Sequence, residues 1–475
     1  MSKVYVFAIG GTGSRILKSL TMLLAAGVKT SATEIVPIII DPDAGCGDKT
    51  DTVLLMDYYT QLRNTLSLHN DGKISAFSTP LGNLGFPTPY VMPMGNNTNT
   101  GFGNYMNFGM LDSGNMAMAN MLFSSSNQAA DMTIGFTGNP NIGSVVLNQF
   151  ATSQQFATFA ASFAPGDKIF IVSSIFGGTG ASGFPLLLKN LRNISPNLQI
   201  PNAANIQNAE IGALTVLPYF NITPSDTGVI DSDTFVSKTK AALSYYEKNL
   251  DGLNVLYYIG DDLRGQQEYN EGGANQRNEA HFIELAGALA ILDFANNSVA
   301  GAPQTVYKEF GIENDDTDLT LKSLGQMTYR QVAAPLTEFT LLGKYLAEHL
   351  YSSLSQEWLR QYKDSVVGGQ LYNVLSQFTM MFLNWERSLE NPKNMRKFTP
   401  FVLDPRPDKV FELAKGIGTS KVMFVAASNW DLYDHFLNKG ECAKVANQHG
   451  KSEDGKFLAH LLYGTKKVVS EKIRF

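Results

Sequence analysis

Cysteine is almost absent from the chain. Cys46 and Cys442 stand at opposite ends of the sequence and share no C-x-x-C spacing, which excludes a disulfide scaffold and makes a reducing cytoplasm the simplest setting. Histidine is also scarce, with six residues, so a dedicated His/Cys metal centre is not expected. No apolar run approaches the roughly 18–20 residues of a membrane-spanning helix. The N-terminal "MSKVYVFAIGG" has too short an apolar part, and meets glycine too soon, to read as a signal peptide. The expected location is therefore cytoplasmic, with no transmembrane segment. Positive charge is not in excess: 37 Lys and Arg against 43 Asp and Glu give a formal net charge of −6. Sequence-independent nucleic-acid binding needs clustered Lys and Arg, so nucleic acid is not an expected partner.

What is present suits a large α/β protein. The 475 residues leave room for two or three domains, and 44% hydrophobic content supplies ample core. "KVYVFAIG" reads as a buried strand. "GGTGSRILKSLTMLLAAG" adds glycines and then Ile16, Leu17, Leu20, Leu23 and Leu24 at helical spacing, with Gly27 as a stop. "EIVPIIIDPDAG" is a second strand. Strand, glycine turn, helix, strand is a βαβ unit and implies a parallel sheet. From about 45 to 130 the pattern loosens into an Asn-, Gly- and Met-rich insertion of loops and short helices. Alternation returns with "DKIFIVSS", "GFPLLLKNLRN", "EIGALTVLPYF", "DTFVSKTKAALSYYEKNL" and "GLNVLYYIGDDL". A helix over 278–297, apolar nearly all round, is expected between two layers or two domains. Past a boundary near 298 the chain reads as mostly helical, with a strand-like "KVMFVAAS" near its end.

Glycine clusters where regular structure penalises it, by roughly 0.5–1 kcal/mol per residue relative to alanine. Gly10-Gly11-Thr12-Gly13 and Gly177-Gly178-Thr179-Gly180 have the same text, and each follows an apolar strand and opens a helix. Such turns let backbone N–H groups approach phosphate oxygens, helped by the helix dipole. A third loop, "GFTGNPNIG", spans Gly135 to Gly143, and "IIIDPDAG" places Asp41 and Asp43 at a strand's carboxyl end. The set suits a polyphosphate with a metal ion. Two common phosphate motifs fail: no Walker A lysine follows either turn, and Gly11-x-Gly13 lacks the third glycine of a dinucleotide fingerprint.

In this order the loops resemble those of the tubulin/FtsZ superfamily of GTP-binding filament proteins, in a diverged prokaryotic tubulin-like form. The family's hallmark is G-G-G-T-G-[ST]-G, and "FGGTGASG" at 176–183 is similar, with Phe176 in place of the first glycine and Pro185 just beyond. The resemblance covers about residues 1–298 as a GTP-binding domain with its insertion and central helix, and leaves 299–475 as a helical α+β domain. It implies that GTP or GDP with Mg²⁺ is the cofactor. Gly10, Gly11, Thr12, Gly13 and Ser14 would form the first phosphate loop, and Gly177, Gly178, Thr179 and Gly180 the signature loop. Asp43, with Asp41 beside it, would sit near the metal and γ-phosphate, Gly138 and Asn139 would sense that phosphate, and Asn278 would contact guanine. The segment "GFGN" at 101–104 is a weaker rival for the sensing loop. His281 reads first as a core histidine. The resemblance also implies head-to-tail assembly of the chain with itself.

Two departures bear on activity. The ribose loop offers only a shifted Asp226. The family completes hydrolysis with acids just after the central helix, but here 296–310 holds only Glu309; Glu313, Asp315, Asp316 and Asp318 come later. A general base must stand about 3 Å from its proton, directly or through one water, so hydrolysis is expected to be weak, relocated or absent. Two other functions stay open: a non-catalytic scaffold, which the missing acids favour, and an NAD-dependent oxidoreductase, which leaves the second glycine turn without a role.

Overall fold

The computed structural model describes residues 2–475 except 95–99, 134, 137, 224–231, 262–265, 269–272, 300, 302–303, 310–311, 313–316, 394–395 and 421–427. Strands β1 (Lys3–Ile9), β2 (Glu34–Ile40), β3 (Lys168–Ser174), β4 (Glu210–Val216), β5 (Val255–Ile259) and β6 (Val306–Glu309) form one parallel sheet in the order β2-β1-β3-β4-β5-β6. All but the edge strand β6 are largely buried, as parallel strands covered on both faces must be. Side chains alternate along β1: Val4, Val6 and Ala8 enter one core, Tyr5, Phe7 and Ile9 the other. Beyond β2, parallel bridges Ile35–Leu81 and Ile39–Val91 extend the edge.

Helices flank both faces: α1 (Gly10–Ala26), α2 (Gly47–Asn64), α3 (Pro140–Leu147), α4 (Gly178–Arg192), α5 (Ser232–Asn249) and α6 (Phe282–Asn296). α1 returns the chain to β2 on one side of β1, and α4 leads from β3 to β4 on the other. The direction of winding reverses between β1 and β3, and a crevice opens at such a point beyond the strands' carboxyl ends. Pro185 lies inside α4 and cannot donate to the Ala181 carbonyl; the Tyr246 hydroxyl of α5 donates to that oxygen instead, at 3.1 Å.

α6 is the expected apolar central helix, although it begins at Phe282 and not at 278. A Cβ on its Gly287 would stand 2.9 Å from both Ile16 of α1 and Leu214 of β4, so bare backbone is what lets three elements meet there. The segment 45–130 departs from the expectation of loops and short helices. It opens with α2, whose Leu55, Met56, Tyr59 and Leu62 are buried at helical spacing beside α1. Its remaining described helices, Phe102–Tyr105, the 3-10 turn Phe108–Met110, Ser113–Leu122 and Ser125–Gln128, are short.

The C-terminal part is helical: α7 (Gln326–Lys344), α8 (Gln370–Leu389), α9 (Asn429–Leu437), α10 (Gly440–His449) and α11 (Glu453–Lys472), with short two-residue ladders between. The strand expected over "KVMFVAAS" falls outside the described residues. One core runs from α1 and α6 into α7, α8 and α11. Trp385 of α8 donates its indole N–H to Ser19 of α1 at 3.1 Å. Among the described residues no helix is long and apolar enough to cross a membrane.

Candidate phosphate site

Both Gly-Gly-Thr-Gly turns lie at the winding reversal. β1 passes into α1 with no intervening residue: Ile9 is the N-cap, Gly10 has φ +71°, and no side chain caps the helix. A Cβ on Gly13 would stand 2.6 Å from the Ala8 carbonyl carbon, so glycine there sets how closely helix and strand approach. α4 is separated from β3 by three residues, with Gly177 as N-cap and again no side-chain cap. α3, which the third glycine loop opens, has Asn139 as N-cap without a capping side-chain bond. None of the three helices carries an acid in its first turn. Such N-termini leave backbone donors unpaired within the helix and concentrate partial positive charge.

The loops touch one another in series. A Cβ on Gly10 would lie 3.6 Å from Thr179 Cβ, and one on Gly178 would lie 2.8 Å from the Asn139 nitrogen and 3.1 Å from that of Gly138. One on Gly135 would meet Asp43 Cβ at 3.8 Å. Gly10, Asp43, Gly138, Asn139, Gly178 and Thr179 are thus brought into one neighbourhood.

The acidic turn is organised by its own carboxylates. Asp43 Oδ1 accepts from the Gly45 N–H at 2.9 Å and Oδ2 from the Gly273 N–H at 2.7 Å; Asp41 Oδ1 accepts from the Asp43 N–H at 3.1 Å. Burial pushes the Asp41 carboxyl up to about 6, against the opposing pull of Lys49. Lys49, itself buried, donates to the Asp43 carbonyl. Asp41 and Lys49 line a cavity of about 300 Å³ with Pro42, Thr88 and Met92.

Beneath the first loop, Arg15 donates to Glu284 Oε1 at 2.5 Å, to Asp48 Oδ2 at 3.1 Å and to the Tyr219 hydroxyl at 3.3 Å, all buried. Asn278 precedes α6 and donates twice to Asp48: from the backbone N–H to Oδ1 at 3.0 Å and from the side-chain amide to Oδ2 at 2.9 Å. The amide's own carbonyl oxygen is not needed for either bond. His281 is the N-cap of α6, where its Nδ1 accepts from the Ile283 N–H at 3.1 Å and its ring lies 4.7 Å from Tyr219. Burial pushes it down to about 4, so it is a neutral structural cap.

Lys238 belongs to this neighbourhood although no sequence motif marks it. This half-buried residue of α5 donates to the Gly138 carbonyl at 2.9 Å, and burial pulls its pKa down. Its residue type is the one available signal, since a lysine one helix past the ribose-loop position comes within reach of the phosphate loops only once the sheet is assembled. Of the candidate catalytic acids, Glu309 ends the edge strand β6 and Asp318 pairs with Lys397. Asp226, Glu313, Asp315 and Asp316 lie outside the described residues. No cluster of three or more His, Cys, Asp or Glu suited to a metal occurs among the described residues.

No family model and no curated protein matches the chain. Several solved structures resemble it. One is a mutant FtsZ from M. jannaschii, with 14% identity over 55% of this chain and 46% of that one, at a TM-score of 0.26. Another is CetZ2 from Haloferax volcanii, in a GTPγS-bound protofilament, with 14% identity over 62% and 59% and a TM-score of 0.30. The chain spans about half the length of the first and less than two thirds of the second. Likeness this slight carries no functional argument.

Proposed function

We propose that the protein binds a guanine nucleotide, GTP or GDP, with its phosphates at the junction of α1, α3 and α4. The observation that carries this reading is the convergence of three helix N-termini without side-chain caps or first-turn acids on two glycine turns of identical text. Unpaired backbone donors, a positive dipole end and glycines that admit close approach together suit a polyphosphate. Thr12, Ser14 and Thr179 add hydroxyls, and Lys238 and Lys49 bring positive charge to loops whose other charged members are Asp41 and Asp43.

The residues present also fit Mg²⁺. This ion is commonly held by one or two carboxylates together with substrate phosphates, and Asp41 and Asp43 are the carboxylates in place. When bound, the ion would neutralise phosphate charge. The chain's own part is to hold those carboxylates: the Gly45 and Gly273 N–H groups fix Asp43, and the Asp43 N–H fixes Asp41. Asp48 orients Asn278 with its carbonyl oxygen left to accept from guanine N–H groups. Residues 1–298 constitute the nucleotide-binding domain in this reading and 299–475 the second domain. Hydrolysis is slow, since 296–310 offers only Glu309 as a general base. Assembly is head-to-tail with further copies of the chain, a heterologous contact that yields open filaments when it does not close. The test is a titration with a fluorescent GTP analogue in Mg²⁺. Saturable binding displaced by GTP and not by ATP is expected; displacement by both alike, or no binding, would remove the guanine reading.

The shortage of acids favours one second reading, a non-catalytic interaction scaffold on the same fold. It predicts no phosphate release and a chain that stays monomeric with GTP present.

A further inference from the structure

A second cavity, of about 510 Å³, lies in the C-terminal part between the end of α7 and the side of α8, and shares no residue with the glycine loops. Its volume falls in the roughly 300–1,000 Å³ range of small-molecule sites. Where it opens, α7 continues into a π-helical turn, Tyr345–His349. Such turns are rare and occur mostly at functional sites, because the widened turn re-aims side chains.

The wall combines apolar surface with one sequestered cation. Leu346, Leu383 and Tyr372 give it apolar area, and Met380 and Tyr351, 50% and 63% exposed, leave large side chains ready to cover a ligand. Lys344 lines the same cavity with only 4% of its side chain exposed, and its ion-pair partner Glu348, at 3.2 Å, is 42% exposed and half hydrated. The other carboxyl beside Lys344 is Glu386. It is buried, accepts from the Thr340 hydroxyl through Oε1, and has no partner at Oε2. Burial pushes it up to about 8, so at neutral pH it is an acid and supplies no counter-charge. Arg387 and Asp404, both exposed in the lining, add one charge of each sign, which leaves Lys344 as the sequestered one. A buried charge is costly unless it is paired, and here the pairing is half left to water.

We propose that this cavity binds a small organic anion with an apolar body, its acid group on Lys344 and its body against Leu346, Leu383 and Tyr372. The site is separate from the nucleotide site and does not depend on that reading.

The test uses the full chain and a matched pair of probes, 2-naphthoate and its neutral amide, followed by calorimetry. One saturable site per chain is expected for naphthoate, with the amide about tenfold weaker, as for loss of a hydrogen bond to a charged group. Lys344→Met should bring naphthoate down to the level of the amide. Leu383→Trp, which fills the cavity from α8, should abolish binding of both; circular dichroism confirms the fold of each variant. If Lys344→Met does not fold, the comparison of acid and amide and the Leu383→Trp variant still decide. Failure of naphthoate to saturate, equal binding of acid and amide, or unchanged binding in folded Leu383→Trp would each overturn the proposal.

Discussion

At Gly178 a methyl group has nowhere to go, because its carbon would lie 2.8 Å from the Asn139 nitrogen and 3.1 Å from that of Gly138. Gly178→Ala should therefore push the third loop off the second and weaken GTP binding by about tenfold or more, with an unchanged far-ultraviolet spectrum; equilibrium titration measures it. Lys238→Ala tests a charge and not a shape. Loss of a charge-assisted contact should weaken GTP by about tenfold and GDP by less, the comparison being made in the same titration. These two residues mark what the sequence makes legible. Gly178 is visible because glycine in a repeated motif is a local signal. Lys238 and Arg15 are not, because their partners lie far along the chain: Gly138 for one, Asp48, Tyr219 and Glu284 for the other. Asn278 is an intermediate case. Its place just before the central helix is readable, but its engagement by Asp48 depends on how α2 packs.

Among the elements, β1 to β5 are readable because continuous apolar runs have few other uses, and the central helix because it is apolar on every side; β6, short and half-exposed at the sheet edge, lies in a stretch that reads as connection. α2 is not, since Asp48, Lys49, Asp51 and Asp57 interrupt its apolar pattern, and two of these are buried by tertiary contacts no periodicity records. The end of α1 shows a local rule and a packing rule agreeing. Gly27 has φ +98°, and a Cβ there would stand 2.8 Å from the Ser75 carbonyl carbon. Gly27→Ala should cost about 1–3 kcal/mol, seen as a lower urea midpoint. In α8, burial raises the Glu386 carboxyl from its ordinary value of 4.5 to about 8. The folded state then binds a proton that the unfolded state has released, so stability falls as pH rises from about 4.5 to 8. Glu386→Gln should flatten that slope; urea midpoints across this range measure it, and an unchanged slope would refute the assignment.

Across the whole molecule, the sheet order brings the two similar turns together. β1 and β3 are neighbours, so the helices that leave them begin side by side although about 170 residues of sequence separate them. The core that carries α1 and α6 continues into α7, α8 and α11, and the Trp385–Ser19 bond fastens α8 to the helix that follows the first glycine turn. Sequence periodicity can supply the helices of the C-terminal part, but not the shared core, which exists only through contacts between distant segments. The proposed guanine-nucleotide function rests on one arrangement, the meeting of the glycine loops, and one experiment addresses it without assuming assembly. Freshly purified protein is denatured, and the released small molecules are resolved by chromatography, with and without prior incubation in GTP and Mg²⁺. GDP or GTP in stoichiometric amount, present at purification or acquired on incubation, is the predicted result. No guanine nucleotide in either sample would contradict it and leave the glycine turns as a device for packing helices against strands.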